Sequence, residues 1–178
     1  ITLPPYEDLV DGRARGSVTF LDKNGNTFAW RGDQLGDIIT STSISPMLKN
    51  AIVATEDKRY YRHFGISPRG ILGAIKTNLK AGRGPLKGSG GSTITQQTAK
   101  LICLGKEYNP NKWESERQYE ADCRKITKTR KIKEAIFAVI MEFRYTKDEI
   151  LSLYLNRAYL GAGSRGFVAA SQRYFNTS

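Results

Sequence analysis

From about residue 45 onward the apolar positions recur at helical spacing, whereas before it they do not. Within residues 1–33, two β-rich runs, Val18–Leu21 and Thr27–Trp30, flank a turn containing Asn24-Gly25, which predicts a hairpin. Ser45-Pro46 and Ser67-Pro68 each place an N-cap residue before a proline at the first helical position, where a missing N–H costs nothing. The first predicts a helix with apolar positions Leu48, Ala51, Ile52 and Thr55, ending at Glu56. The second predicts a helix carrying Ile71, Ala74, Ile75 and Leu79 and stopping near Gly82. "AGRGPLKGSGG" then reads as a mobile, basic, glycine-rich loop.

A third helix is predicted from about Ser92. Residues 104–122 break the periodicity, with Asn109-Pro110 as a turn and several acids. The strongest helix follows from Ile126, where Ile132, Ala135, Ile136, Val139, Ile140 and Phe143 share one face. Thr146 and Glu149 form a capping-box pattern at the start of "TKDEILSLYLN", and "RGFVAASQRYF" predicts a last helix. The expectation is a mainly α fold with a small N-terminal β hairpin. Residues 1–40 form the hairpin and lead-in, and residues 41–178 the helical domain.

Charge narrows the partners. The 178 residues carry a net charge of +11, which suits an anionic ligand or surface. No apolar run approaches the ~20 residues of a membrane span. No signal peptide is visible, and the chain reads as a piece of a longer protein. Cys103 and Cys123 lack the paired spacing of a zinc site, leaving one disulfide or two buried thiols.

Three stretches carry candidate chemistry. Glu56 and Asp57 are adjacent carboxylates at a predicted helix end, where mutual repulsion gives folding no reason to place them. Thr93, Gln97 and Lys100 share a helix face behind Gly90-Gly91-Ser92, whose open N–H groups would suit an anion. Arg130, Lys131 and Glu134 form a stripe on the long helix, with Arg124, Lys125, Lys128 and Lys133 adding cations. Alternating charge is ordinary on a solvated helix, but a cationic surplus around one acid is less so. Two glutamates suit reaction at an anomeric carbon. The cations suit a diphosphate leaving group, whose developing charge they would stabilise.

With those residues in view, the chain resembles the peptidoglycan glycosyltransferase domain of glycosyltransferase family 51, found in class A penicillin-binding proteins and monofunctional transglycosylases. "EDKRYYRHFG" resembles the first motif, Glu-Asp-x-x-Phe-x-x-His-x-Gly, with Tyr60 where phenylalanine is usual. "GGSTITQQ", "RKIKE", "KDEILSLYLN" and "RGFVAASQRYF" follow in the family's order across residues 56–175. The resemblance implies a lysozyme-like, two-lobed fold whose second lobe, here residues 71–91, touches the membrane. It implies lipid II and the growing glycan chain as substrates, polyprenyl diphosphate as product, and moenomycin-type inhibitors. It places the domain on the outer, periplasmic face of the bacterial cytoplasmic membrane, beside a fused transpeptidase domain.

By the same resemblance Glu56 is the general base, Asp57 supports it and Glu134 is the second essential glutamate. Lys100, Arg130 and Lys131 fall on positions for the diphosphate and donor, and Ser92, Thr93 and Gln97 on binding positions. Tyr60, His63 and Asn156 lie in motifs and are grouped with the binding residues. For His63 a hydrogen-bonded structural role is read ahead of proton transfer, since Glu56 fills the base role. No cofactor or metal ligand set is demanded, although a divalent cation such as Mg would help neutralise a diphosphate.

One stretch departs from the pattern: residues 104–129 are longer than the link expected between the second and third motifs, and their acids (Glu107, Glu114, Glu116, Glu120, Asp122) contrast with basic flanks. The implied extracytoplasmic setting favours a Cys103–Cys123 bridge over free thiols. It would contribute about 3 kcal/mol by chain entropy and hold Lys100 and Arg130 at a fixed separation. Two other functions compete: a lysozyme-like hydrolase or lytic transglycosylase, which needs no diphosphate site, and a non-catalytic basic binding module. No nucleic-acid-binding signature is present.

Overall fold

The structure is a computed structural model that describes residues 3–10, 18–25, 27–31, 34–35, 37–85, 87–88, 90–104, 108–125 and 127–177. It is mainly α. A short helix α1 (Tyr6–Val10) precedes the strands β1 (Val18–Leu21), β2 (Thr27–Arg31) and β3 (Gln34–Leu35). Then come α2 (Pro46–Glu56), α3 (Pro68–Lys80), α4 (Ile94–Leu101), α5 (Glu116–Cys123), α6 (Lys128–Arg144), α7 (Lys147–Arg157), β4 (Ser164–Arg165) and α8 (Phe167–Phe175). β1 and β2 pair antiparallel as the predicted hairpin, and Gly25 turns the chain at φ +83. β3 and β4 pair in parallel, a contact too short to leave a sequence pattern.

The core gathers around α4, which packs on both α6 and α7. Ile94, Ala99, Phe137, Met141, Ile150, Leu151, Leu153 and Leu155 are buried there. α4 is short and carries buried polar residues, so its stability comes from partners outside itself. Thr93 and Gln96 close its N-terminus as a capping box. Thr93 Oγ1 donates to the Gly65 carbonyl, and Thr95 Oγ1 donates to Glu142 at 2.6 Å. Gly65 has a positive φ, and a Cβ there would stand 2.6 Å from the Ala138 carbonyl oxygen, so only glycine lets this turn lie on α6.

Behind α4, Lys147 Nζ lies 2.7 Å from Glu142 Oε1 and 2.8 Å from the His63 carbonyl oxygen, with its ammonium above the Tyr60 ring. The network joins α6, α7, α4 and the turn after α2. On α7, the Asn156 side chain accepts from Ile39 N–H and donates to the Ile39 carbonyl, bracing the N-terminal lead-in.

Several expectations are corrected. Of the predicted face of α2 only Ile52 is buried, because this helix lies on the surface. The lead-in contains α1, whose five residues are too short for periodicity to show. The segment after α3 is folded back, with Asn78 buried and donating to the Pro85 carbonyl. Residues 104–125 contain α5 and a small core of Cys103, Trp113, Tyr119 and Cys123. Cys103 and Cys123 form the disulfide that was expected, Cα to Cα 5.8 Å. Leu86, Glu107 and Ile126, and the side chains of Glu116 and Lys128, lie outside the described residues.

Candidate active site

Glu56 is the last residue of α2, and its carboxylate is exposed. Gln97 Nε2 donates to Glu56 Oε2 at 3.0 Å, so α4 orients the acid. The neighbouring carboxylate goes the other way. Asp57 is buried, and its Oδ2 accepts from the Ile94 backbone N–H at 3.1 Å and from His63 Nε2 at 2.8 Å. A negative group thus sits at the N-terminus of α4, where the helix's unpaired N–H groups favour it. The two acids are not redundant: one points out, the other holds the helix that orients it. The chain bends between them because the Asp57 N–H still bonds back to Val53 while its own backbone has already left the helical conformation.

Across from Glu56, α6 is capped by Thr127, whose side chain accepts from the Arg130 N–H. Arg130, Lys131 and Glu134 then fall one turn apart on the edge facing α4. Glu134 is buried and paired with Arg130 on one oxygen; Lys131 lies 3.4 Å from the other. Lys131 also donates to the Ser92 hydroxyl ahead of α4.

The cations crowd one another. Burial holds the Lys100 ammonium below the usual lysine range; Arg130 and Arg124 depress it further, while Glu56 opposes them. Lys131 is lowered by burial first, then by Arg130 and Lys100. Burial also raises the Tyr154 phenol, with the Glu56 charge adding, to about 12. Lys100 therefore feels both the acid of α2 and the arginine of α6.

Two hollows meet at Arg130 and Thr127. One is a cleft of about 340 Å³ lined by Lys100, Lys125, Arg130, Lys133, Glu134 and the Cys103–Cys123 bridge, among others. The other is a groove of about 1030 Å³ between α3 and α6, lined mainly by Ile71, Ile75, Ile132, Ile136, Val139 and Ile140. Ser92, Gln96, Arg130 and Lys131 add polar groups to its lining. An anion with an apolar tail fits this pair of hollows.

The structure brings together Glu56, Gln97, Lys100, Ser92, Arg130, Lys131 and Glu134. It sets the other expected residues back from that surface, and these are corrections. Tyr60 is fully buried and its hydroxyl donates to the Lys147 carbonyl. Thr93 is buried as the helix cap. Asn156 braces the lead-in, while the His63 side chain is nearly enclosed against Asp57, in the hydrogen-bonded structural role expected of it. Nor is the α4 N-terminus open for an anion, because Asp57 and the capping box already take Ile94, Thr93 and Gln96 N–H groups. Gln96 was missed as a cap, although Thr93-x-x-Gln96 is the spacing that marks one.

Among the described residues no helix is long and apolar enough to cross a membrane, and no three His, Cys, Asp or Glu side chains group to hold a metal ion.

A family model described as Transglycosylase matches residues 24–178. Penicillin-binding protein 1A of Neisseria cinerea is 34% identical over 174 residues, covering 98% of this chain and 19% of that protein. Penicillin-binding protein 1A of Aquifex aeolicus is 37% identical over 179 residues, covering 97% of this chain and 22% of its own. The chain belongs to the transglycosylase family. It spans about a fifth of the length of these relatives.

Proposed function

We propose that this domain is a peptidoglycan glycosyltransferase that polymerises lipid II. The observation that carries the reading is the pairing of an exposed, oriented carboxylate with a cationic cleft that continues into an apolar groove. Glu56 takes the proton from the acceptor sugar's 4-hydroxyl. The oxygen attacks the donor's anomeric carbon with inversion, and the bond from that carbon to the diphosphate oxygen breaks. Polyprenyl diphosphate leaves, with Lys100, Arg130 and Lys131 stabilising its charge. Glu134 keeps Arg130 and Lys131 in place. Asp57, His63 and Thr93 support the base indirectly, by fixing α4 and hence Gln97.

The groove accepts the first part of the polyprenyl chain. The exposed residues Leu72 and Leu79 on α3 and Ile132, Ile136 and Phe143 on α6 face the outer leaflet of the cytoplasmic membrane. A divalent cation such as Mg, if used, would be held chiefly by diphosphate oxygens, and no step here depends on it. Moenomycin-type diphosphate mimics would compete for the cleft. The relatives' name and greater length support a penicillin-binding transpeptidase domain elsewhere in the same protein.

A hydrolase or lytic transglycosylase acting on finished glycan has no use for a diphosphate cleft. Incubation with lipid II separates the readings. Polymer together with polyprenyl diphosphate is the expected product, and free disaccharide without polymer would contradict it.

A further inference from the structure

The proposed reaction assigns residues 104–125 no role, yet they meet the site at a defined atom. Arg130 Nε donates to the Lys125 carbonyl at 2.7 Å, and the same guanidinium pairs through Nη1 with Glu134. Two sides of a rigid fork are therefore occupied, one by the insertion and one by the buried glutamate. The Nη2 edge is left to address a ligand in the cleft that Arg130 lines.

The carbonyl that holds Nε stands on a turn that is itself tied down. Two residues before it, Cys123 is bridged to Cys103, just past the end of α4. Between them, Arg124 donates to the Leu101 carbonyl at 3.2 Å and pairs with Glu120, which also pairs with Arg165 of β4. Trp113 and Tyr119 pack beneath the bridge. Without these ties the Lys125 carbonyl could move with its loop, and Arg130 would spend conformational entropy on each binding event.

We propose that the disulfide-closed insertion is a positioning element for Arg130: the Cys103–Cys123 bridge fixes the Lys125 carbonyl, which aims the guanidinium at the substrate's diphosphate. The inference rests on the diphosphate reading of the cleft. It assigns the insertion a role in substrate affinity beyond stability. Cys103, Cys123 and Lys125 line the same cleft, and the inference gives the bridge an effect exerted through Arg130.

A double-mutant cycle tests it, with farnesyl diphosphate as the probe and titration calorimetry as the readout. The four proteins are the wild-type domain, Cys103→Ser with Cys123→Ser, Arg130→Lys, and the combination. A lysine in place of Arg130 has no Nε–H in a fork for the carbonyl to hold. Losing the bridge should weaken the probe about tenfold beside Arg130, and less than about twofold beside the lysine. An equal factor in both backgrounds, or no loss beside Arg130, overturns the inference and leaves the diphosphate reading standing. Unchanged affinity on Arg130→Lys alone overturns that reading, and this inference with it. Should the serine pair fail to fold, Tyr119→Leu loosens the packing beneath α5 with the bridge intact. The same dependence on Arg130 is expected of it, and equal losses in both backgrounds overturn the proposal.

Discussion

Asp57 Oδ2 lies 3.1 Å from the backbone nitrogen of Ile94, so the residue next to the proposed base closes the helix that orients that base. This contact sets α4 against the end of α2, and the 3.0 Å bond from Gln97 Nε2 to Glu56 then joins the two helices directly. Replacing Asp57 with alanine removes the charge at the helix N-terminus and strands His63 Nε2. The expected cost is about 2–4 kcal/mol of stability, from a lost charge-assisted bond plus a buried group left unpaired. Activity should fall even below the melting transition, because Gln97 loses its register with Glu56. Thermal unfolding and initial rates, measured on the same preparation, check both halves.

The two lowered lysines predict a pH dependence. Lys100 and Lys131 both hold their protons less firmly than an ordinary lysine, chiefly through burial. A diphosphate prefers them protonated, so raising pH past their depressed values removes charge from the cleft and weakens binding. The alkaline limb should therefore begin below the usual lysine value of 10.5. Lys100→Arg should move that limb upward, since a guanidinium stays charged there. A calorimetric titration of farnesyl diphosphate between neutral and alkaline pH shows it; a limb unmoved by the arginine would take Lys100 out of the effect.

Membrane contact is the next expectation. Among the apolar side chains that face outward, Leu72 and Leu79 on α3 and Ile132, Ile136 and Phe143 on α6 share their helices with Lys76, Lys80 and Lys133. Each cation near an anionic surface is worth about 1 kcal/mol. Ile132→Ser with Ile136→Ser should reduce co-sedimentation with vesicles containing phosphatidylglycerol, and neutral vesicles should bind less than anionic ones. Binding indifferent to both changes would contradict this docking face.

Much of this was legible before any coordinates. The caps at Ser45, Ser67 and Thr146 begin α2, α3 and α7, because proline and hydroxyl chemistry at a helix start is local. The stripe of Arg130, Lys131 and Glu134 was visible for the same reason: positions three and four apart on one helix must meet. What could not be read was the direction of side chains between elements. Asp57 and Glu56 are neighbours in sequence with opposite outlooks, and only the placement of α4 decides which one turns inward. Tyr60 and Asn156 likewise sit in recognisable motifs, yet their partners are backbone groups 87 and 117 residues away. The pairing of Lys125's carbonyl with Arg130 leaves no side-chain signature at all.

The central claim is that Glu56 acts as the base while the surrounding cations hold the diphosphate. Glu56→Gln tests it most directly, since the amide is nearly isosteric and cannot accept the proton. Polymerisation of lipid II and binding of farnesyl diphosphate should be measured on that one variant. The account predicts polymerisation lost by at least about a hundredfold, within the range general-base removal commands. It predicts diphosphate binding retained and the melting transition unmoved. Near-normal polymer formation by Glu56→Gln would contradict it.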